Sequence, residues 1–320
     1  MSDVLLCTDT FHDEHRERIE SIAPDLEVVA LRVGSTPSED ELARVTIAFF
    51  SHDAWPERAP DFFRAATNTP ALQWMHTMSA GVDSPVFASF LERGVVLTNS
   101  SGENAAPIAR TVMMYLLALT RDFPNTIRDQ DRHEWNWRRW DELEGRTVAV
   151  VGWGPIGQEV ARLATAFDMR PTAVRRHERG DEGVPVRRLD ELVAVAADHD
   201  VVVVALPLND DTEGIISAEV LDAIGPDGMF VNVGRGELLD QGALTAALVD
   251  GRLGGAALDV TTPEPLPADD PLWDAPHLIV TPHNSGSTDL TGRRIARLFL
   301  TNLEHRVAGE PLVNVVESTR

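Results

Sequence analysis

Lysine is absent from this 320-residue chain, and cysteine occurs only once, at Cys7. A single cysteine excludes an intramolecular disulfide and a thiolate metal cluster, and its place in the apolar run Val4-Leu-Leu-Cys7 predicts a buried strand residue rather than a nucleophile. Because there is no lysine, all 28 basic residues are arginine, against 51 acidic residues and a formal net charge of −23. Nucleic-acid binding needs clustered positive charge, so this balance argues against a nucleic-acid partner. An acidic chain without lysine is typical of a GC-rich genome, a salt-adapted cytoplasm, or both.

Long apolar runs are also missing. Runs such as Val201–Leu206 are far shorter than the ~20 residues of a membrane-spanning helix, and the N-terminus shows no basic segment followed by an apolar one. We therefore expect a soluble cytoplasmic protein with no membrane partner. A chain of 320 residues that is 43% hydrophobic is long enough for two domains with separate cores, and two domains imply a cleft.

A glycine-rich turn stands near the middle of the chain, in Gly145-Arg-Thr-Val-Ala-Val-Val-Gly-Trp-Gly-Pro-Ile-Gly157. An apolar strand precedes the turn, and helical spacing of apolar residues follows it from Gln158 to Phe167. In this context Gly152 permits the tight turn, Gly154 lets backbone amides approach a diphosphate, and Gly157 lets the helix pack closely on its strand. The pattern therefore predicts a dinucleotide on the helix N-terminus, although tight strand-to-helix turns also use glycine for structural reasons alone.

Short apolar runs separated by helical spacers predict two α/β domains with doubly wound parallel sheets. We assign 1–101 and 286–320 to one domain, built from both chain ends, and 102–285 to a Rossmann domain. A long amphipathic helix over 290–307 is expected to pack on the first domain, and a second long helix over 105–119 links the two. The expected strands of the first domain are Val4–Cys7, Leu26–Leu31, Ile47–Phe50, Leu72–His76 and Val95–Leu97. The six expected in the second are Thr147–Val151, Thr172–Val174, Val201–Leu206, Met229–Val233, Gly255–Val260 and His277–Val280.

Three segments allow more than one interpretation. His12-Asp-Glu-His15 is expected to open a solvated helix rather than to bind a metal, and no metal site is predicted. Met78-Ser-Ala-Gly-Val-Asp83 follows a predicted strand, where exposed amides could face an anion or form an ordinary turn.

The tryptophans of residues 121–141 could contact a neighbouring subunit or the mouth of the cleft, or form a local satellite core; we favour the interface. They are Trp135, Trp137 and Trp140.

Three strand ends of the second domain carry side chains that suit acid–base chemistry. They are Arg235 in Asn232-Val-Gly-Arg-Gly-Glu237, Glu264 in Leu258-Asp-Val-Thr-Thr-Pro-Glu-Pro-Leu266, and His283 in Val280-Thr-Pro-His-Asn-Ser-Gly286. Carboxyl ends of parallel strands form the ligand crevice of an open sheet, so these three could converge there. Arginine offers a planar fork for a carboxylate, histidine exchanges a proton near neutral pH, and a carboxylate stabilises the protonated histidine. Each residue taken singly could instead be a surface charge or a cap.

These ordered motifs, together with Ser79-Ala-Gly-Val-Asp83 and Trp137, resemble the D-isomer-specific 2-hydroxyacid dehydrogenase family over nearly the whole chain. Within that family the chain looks most similar to the glyoxylate/hydroxypyruvate reductase-like branch. The resemblance implies that Arg235, Glu264 and His283 are catalytic, that Asp259 binds the cofactor carboxamide, and that the protein is a homodimer. It also implies a flavodoxin-like substrate domain, with substrate contacts from Met78, Ala80 and Gly81 besides Arg235 and His283. Arg110 departs from the family pattern, in which relatives commonly have glutamate.

The end of the second Rossmann strand indicates which dinucleotide is used. NAD enzymes usually place an acidic residue about 20 positions after the glycine turn, where it binds the ribose hydroxyls. Arg175 and Arg176 stand there instead, in Pro171-Thr-Ala-Val-Arg-Arg-His177, and two guanidinium groups suit a 2′-phosphate. NADP(H) is therefore expected to be preferred over NAD(H), unless both arginines only solvate a loop. The predicted cofactor contacts are Gly152, Gly154, Pro155, Ile156, Gly157, Arg175, Arg176, Leu206, Pro207, Thr212, Val233, Gly234 and Asp259.

The sequence thus predicts an oxidoreductase that reduces a small 2-keto acid to the D-2-hydroxy acid with NAD(P)H, reversibly, with His283 as general acid and base. A second class stays open, because relatives include co-repressors that sense the dinucleotide and bind peptide motifs. The intact Arg, Glu and His set favours the enzyme, and turnover of a keto acid separates the two.

Overall fold

Strands and helices alternate along the chain in the computed structural model, which describes residues 3–316. Two units divide the fold: Met1–Asn104 with Thr288–Arg320, and Ala105–Ser287. All strand pairs in both sheets are parallel. The predicted α/β class is confirmed.

The first unit contains a five-stranded sheet in the order β2-β1-β3-β4-β5, which is the flavodoxin-like order. Its five predicted strands are present, with ends shifted by at most two residues. Side-chain caps define where its first helices begin: Thr8 accepts the N–H of Phe11, and Ser38 forms a capping box with Glu41. The strands are β1 (Val4–Thr8), β2 (Glu27–Leu31), β3 (Ile47–Phe50), β4 (Trp74–Thr77) and β5 (Val96–Thr98). The helices are α1 (Asp9–Ile22), α2 (Glu39–Leu42), α3 (Ala59–Thr67) and α4 (Pro85–Glu92).

The second unit contains a seven-stranded sheet in the order β12-β11-β10-β9-β6-β7-β8. Its strands are β6 (Thr147–Val151), β7 (Arg170–Arg175), β8 (Val186–Arg188), β9 (Val201–Val204), β10 (Met229–Asn232), β11 (Gly255–Leu258) and β12 (Leu278–Val280). Its helices are α5 (Ala105–Thr120), α6 (Phe123–Asp131), α7 (Pro155–Ala166), α8 (Leu192–Ala197), α9 (Ala218–Ile224) and α10 (Gln241–Val249).

The prediction of six strands in this sheet was wrong by one, because β8 was missed. It is an edge strand of three residues, pairs only with β7, and includes Arg187 and Arg188. A short edge strand with two charged side chains has no apolar run, so the sequence pattern does not reveal it.

The central strands of the second sheet are buried on both faces. In β6, Val148 and Val150 pack into the core on one face, while Ala149 and Val151 pack into the core on the other. Strands covered on both faces read as continuous apolar runs, which is why Val201–Val204 was recognisable in the sequence.

The last helix, α11 (Asp289–Ala308), belongs to the first unit. Its Phe299 stacks on Phe49 of β3 at a centroid distance of 4.2 Å and on Trp74 of β4 at 5.3 Å. Cys7 is fully buried in the same core cluster, so its predicted place as a buried strand residue is confirmed. Within residues 3–316, no helix has both the length and the apolar character needed to span a bilayer.

The fold bears on two of the segments that allowed more than one interpretation. His12 and His15 lie inside α1, which begins three residues earlier than the predicted start at His12. Trp135 is 99% exposed and Trp137 is 84% exposed, so these two tryptophans do not form a local satellite core, whereas Trp140 is 47% exposed.

Candidate active site

The glycine-rich turn lies where the direction of the second sheet reverses. The chain passes from β6 through β7 to β8 on one side, and from β9 through β10 and β11 to β12 on the other. In open parallel sheets, ligands bind at such a switch point, beyond the carboxyl ends of the strands. The turn after β6 therefore occupies the position expected for a dinucleotide.

The three glycines of the turn serve different purposes. Gly152 has φ +107°, and a Cβ there would lie 2.6 Å from the carbonyl oxygen of Ala205, while a Cβ on Gly157 would lie 2.0 Å from the carbonyl oxygen of Gly152. Gly154 has φ −80° and no heavy atom within 4 Å of a built Cβ. Neither strain nor packing requires glycine at 154, so the turn leaves open the space at the N-terminus of α7. Pro155, Ile156 and Gly157 form the first turn of this helix, and the binding of a diphosphate there stays a prediction.

His283 and Glu264 meet at the ends of β12 and β11. The distance from His283 Nδ1 to Glu264 Oε2 is 2.8 Å, and Glu264 Oε1 accepts the N–H of Thr261 at 3.1 Å. The two side chains are 48% and 38% exposed, so both remain accessible from one side. Because Glu264 occupies Nδ1, Nε2 is the ring nitrogen that can exchange a proton with a ligand.

Asp259 holds the loop that carries His283. Its side chain is almost fully buried, with 2% of the residue exposed, and it accepts the hydroxyl hydrogen of Thr281 at 2.6 Å. It also accepts the N–H groups of Asn284 at 3.0 Å and Ser285 at 3.1 Å, and the hydroxyl of Ser285. The carbonyl oxygen of Asp259 accepts the N–H of His283 at 2.8 Å. The predicted contact of Asp259 with a carboxamide stays a prediction.

Arg235 follows β10, the strand next to β11. Asn232 is fully buried and fixes this turn: its Nδ2 donates to the carbonyl oxygen of Arg235 at 2.8 Å, and its Oδ1 accepts the N–H of Gly234 at 2.9 Å. A Cβ on Gly236 would lie 2.1 Å from the carbonyl oxygen of Thr261, so the turn packs against the segment that leads to Glu264. Arg235, Glu264 and His283 therefore follow three neighbouring strands of one sheet.

The remaining predicted cofactor contacts follow β9 and β10. A Cβ on Gly234 would lie 2.9 Å from the carbonyl oxygen of Leu206, so these two strand ends approach closely. Thr212 is buried, and its hydroxyl donates to the carbonyl oxygen of Pro207 at 2.9 Å. Val233, which begins the turn after β10, is also buried.

Arg175 and Arg176 stand at the end of β7, as predicted, but both have acidic partners. Arg175 Nη1 lies 2.7 Å from Glu182 Oε1, and Arg176 Nη2 lies 3.0 Å from Asp211 Oδ2. The Glu182 side chain is 1% exposed and also accepts the N–H groups of Arg179 at 2.8 Å and Gly180 at 2.9 Å. These hydrogen bonds, that of Arg179 foremost, hold the pKa of Glu182 below its ordinary value.

A cavity of about 280 Å³ lies beside this loop. It is bounded by α7 on one side and by the loop after β7 on the other. Its lining is mainly polar and includes Trp153, Gln158, Arg162, Arg175, Arg179 and Glu182.

The sequence model described as "D-isomer specific 2-hydroxyacid dehydrogenase, NAD binding domain" matches residues 113–285, a range that includes the glycine turn and all three candidate catalytic residues. The chain belongs to the D-isomer specific 2-hydroxyacid dehydrogenase family. The predicted family resemblance is therefore confirmed.

Relatives of this dehydrogenase match most of its length. It is 32% identical over 265 residues to glyoxylate/hydroxypyruvate reductase B of Pectobacterium carotovorum, covering 80% of this chain and 81% of that protein. A solved family protein from Aeromonas salmonicida superposes with a TM-score of 0.81 at 31% identity, over 99% of both chains. Another, from Xanthobacter autotrophicus in complex with NADPH and MES, gives a TM-score of 0.79 at 28% identity, over 99% of this chain and 98% of that one.

In the first unit of the dehydrogenase, the predicted substrate contacts follow β4. The N–H of Met78 donates to the carbonyl oxygen of Phe50 at 2.9 Å, and Asn99 Nδ2 donates to the carbonyl oxygen of Ala80 at 2.8 Å. These bonds define the shape of the turn that contains Gly81. The roles of Met78, Ala80 and Gly81 in binding substrate stay predictions.

Sequence reasoning missed the residues that fix the site of the dehydrogenase. Asn232, Thr281 and Ser285 stand inside the motifs that it singled out, but a hydroxyl or amide in a motif does not reveal its partner. Tyr115, the only tyrosine in the chain, lies on α5 and forms a hydrogen bond with Thr281. The one feature of the sequence that could have indicated this contact is a single tyrosine within a mainly apolar helical pattern.

Proposed function

We propose that this dehydrogenase reduces a small 2-keto acid, such as glyoxylate or hydroxypyruvate, to the D-2-hydroxy acid, and that it prefers NADPH. The observation that carries the proposal is the 2.8 Å contact between His283 Nδ1 and Glu264 Oε2, on strand ends next to that of Arg235. The relative from Pectobacterium carotovorum, a glyoxylate/hydroxypyruvate reductase, supports the choice of substrate class.

His283 moves the proton. When bound, NAD(P)H supplies a hydride to the carbonyl carbon of the keto acid. His283, as imidazolium, donates the proton on Nε2 to the carbonyl oxygen, while the negative charge of Glu264 at Nδ1 stabilises the protonated ring. In the reverse direction, neutral His283 accepts the hydroxyl proton at Nε2. One proton and one hydride are thus added to the keto acid, which balances the reduction.

Arg235 binds the substrate carboxylate. Its guanidinium is permanently charged and planar, so it can present two parallel N–H groups to a carboxylate and polarise the adjacent carbonyl. Asn232 supports this role, because it fixes the backbone on both sides of the turn and so limits where the guanidinium can lie.

NADPH preference rests on the loop after β7. Arg176, whose side chain is 48% exposed, and Arg175 would bind the 2′-phosphate. Glu182 does not present a free carboxylate to that phosphate, because its oxygens accept hydrogen bonds from Arg175, Arg179 and Gly180. The solved relative from Xanthobacter autotrophicus, which binds NADPH, supports this preference.

A second copy of this chain is the partner that we propose for the exposed tryptophan segment. Trp135 and Trp137 are almost fully exposed, and exposed aromatic anchors are typical of interface centres. Arg138, the residue after Trp137, forms salt bridges with Asp129 at 2.5 Å and with Asp122 at 3.2 Å. These salt bridges attach the tryptophan segment to the rest of its unit. Light scattering should show a dimer for the wild type and a monomer for Trp135→Ser/Trp137→Ser; a monomeric wild type would contradict the proposal.

The proposed reaction is tested by initial rates with glyoxylate, hydroxypyruvate, pyruvate and branched 2-keto acids, each with NADPH and with NADH. We expect the highest kcat/KM for a small keto acid with NADPH, and a D-configured product wherever the product is chiral. Binding of the dinucleotide without turnover of any keto acid would instead support the sensor function of co-repressor relatives.

A further inference from the structure

Helix α5 contacts both ends of the loop that carries His283. Thr111 and Tyr115 are four residues apart and therefore lie on the same face of the helix. Thr111 Oγ1 lies 3.2 Å from the carbonyl oxygen of Ser285 and 3.1 Å from that of Pro107 in its own helix, so its one hydroxyl hydrogen is shared between these two acceptors. The phenol of Tyr115 forms a hydrogen bond with the hydroxyl of Thr281. The two ends of the loop that carries His283 are thus joined to one helix face.

The directions of the hydrogen bonds from Tyr115 through Thr281 to Asp259 are determined. The carboxylate of Asp259 can only accept, so Thr281 must use its single hydroxyl hydrogen in the 2.6 Å contact with Asp259 Oδ1. Tyr115 must therefore donate to Thr281. Burial raises the pKa of Tyr115 to about 12, so its phenol keeps the hydrogen that it donates at any working pH.

The backbone of the loop needs such support. His283 has φ +49°, in the left-handed region that non-glycine residues rarely adopt. A residue stays in that region only when its surroundings determine its conformation. The contact with Glu264 fixes the ring of His283, whereas Asp259, Thr281 and Ser285 fix the backbone that carries the ring.

We propose that Thr111 and Tyr115 are positioning residues, which act through Thr281, Ser285 and Asp259 to hold the His283 loop in its proton-transferring conformation. The inference rests on the proposed function for its effect on turnover. Its effect on the loop itself does not depend on that function.

The variants Tyr115→Phe and Thr111→Val each remove one hydroxyl and keep the shape of the side chain. Thr120→Val is the matched control: Thr120 lies on the same helix, and its hydroxyl bonds only to Leu116 at 2.9 Å and Leu117 at 3.1 Å, within the helix. Any general loss of helix stability should appear equally in the control.

The first measurement is amide hydrogen exchange in the peptide that contains residues 281–286. We expect faster exchange in Tyr115→Phe and Thr111→Val than in Thr120→Val, measured well below each melting temperature. Equal exchange in all three variants would overturn the inference, and this outcome can be reached whether or not the enzyme turns over a keto acid.

The second measurement separates positioning from simple stability. Since a misplacement of about 1 Å can cost as much as ~10²-fold in rate, we expect Tyr115→Phe to lower kcat by about tenfold, with the KM for NADPH unchanged. Wild-type kcat in Tyr115→Phe would overturn the inference and leave the proposed function intact. A wild-type enzyme that reduces no 2-keto acid would overturn the proposed function, and hydrogen exchange would still decide the inference.

Discussion

Two buried carboxylates organise loops at the same edge of the second sheet, and they differ in their donors. Asp259 accepts only from neutral groups, the hydroxyls and amides of Thr281, Asn284 and Ser285. Glu182 accepts from two backbone amides and also from the guanidinium of Arg175. One loop carries the candidate proton donor, and the other carries the candidate phosphate-binding arginines.

The difference matches what each loop has to do. Neutral hydrogen bonds have fixed directions, so they suit a loop whose histidine must be placed accurately for proton transfer. A guanidinium is permanently charged and can pair with a carboxylate or a phosphate, so it suits a loop that binds one dinucleotide in preference to another by the charge of its phosphate. Changes near Asp259 should therefore alter turnover without altering cofactor choice, and changes near Glu182 should do the reverse.

The largest effect is expected from His283→Ala. It should lower kcat for keto-acid reduction by ~10²- to 10⁴-fold, because it removes the side chain that we propose as the proton donor. NADPH binding, measured by quenching of tryptophan fluorescence, should be unchanged. His199→Ala is the control, since the ring of His199 has one hydrogen bond within the described residues, from Nδ1 to the carbonyl oxygen of Val195 on α8. A variant with wild-type kcat would remove His283 from the reaction.

Arg235→Lys keeps the charge and loses the planar fork. Because hydrogen bonds to charged groups contribute about 1.5–3 kcal/mol, we expect kcat/KM for the keto acid to fall by about 10- to 100-fold, with the NADPH to NADH preference intact. The control is Arg252→Lys, which alters exposed ion pairs with Asp222 and Asp250. If only the melting temperature changed, Arg235 would be a structural ion-pairing residue.

Replacing the arginines after β7 should change cofactor choice alone. For Arg176→Gln, and more strongly for Arg175→Gln/Arg176→Gln, the ratio of kcat/KM with NADPH to that with NADH should fall about tenfold, while kcat with NADH stays near the wild-type value. Arg188→Gln, at an exposed position of edge strand β8, is the control. If the ratio of kcat/KM with NADPH to that with NADH is unchanged in the double variant, these arginines do not determine cofactor choice, and the proposed contrast between the Glu182 loop and the Asp259 loop is wrong.

The smallest effect concerns stability and pH. The pKa of Glu182 is lower in the folded protein than the ordinary value of about 4.5, so the unfolded chain binds protons more readily at low pH. Its stabilising contribution is complete above about pH 4.5 and is lost as the pH falls through the lowered value. Glu182→Gln should thus lower the melting temperature at pH 7, and the difference should shrink below pH 4.5. A difference that is independent of pH would contradict this account.

The sequence predicted most of the fold because buried parallel strands leave apolar runs. Strand β6 has the predicted bounds Thr147–Val151, and strand β3 has the predicted bounds Ile47–Phe50. Strand β8 was missed because it is short, charged and at an edge. Other strand ends moved by one or two residues, since pairing with neighbours, not local pattern, decides where a strand stops.

The candidate catalytic residues could be predicted for a different reason. Each follows a predicted strand, and carboxyl ends of parallel strands share an edge. Their support could not be predicted, because the partners of Asp259 and Thr281 are distant in sequence: Tyr115 and Thr281 are 166 positions apart. The pairing of Arg175 with Glu182 was equally hidden, since a run of alternating charges does not show which acid is buried.

The central claim is that Glu264 acts through His283, and a double-mutant cycle tests it most directly. The measurement is kcat for glyoxylate reduction by the wild type, Glu264→Gln, His283→Ala and the double variant, all with saturating NADPH. If Glu264 works only by stabilising the protonated ring at Nδ1, its replacement has no further effect once the ring is gone, and the double variant should be as slow as His283→Ala. A double variant whose loss equals the product of the two single losses would show that the two residues act independently, and would contradict the account.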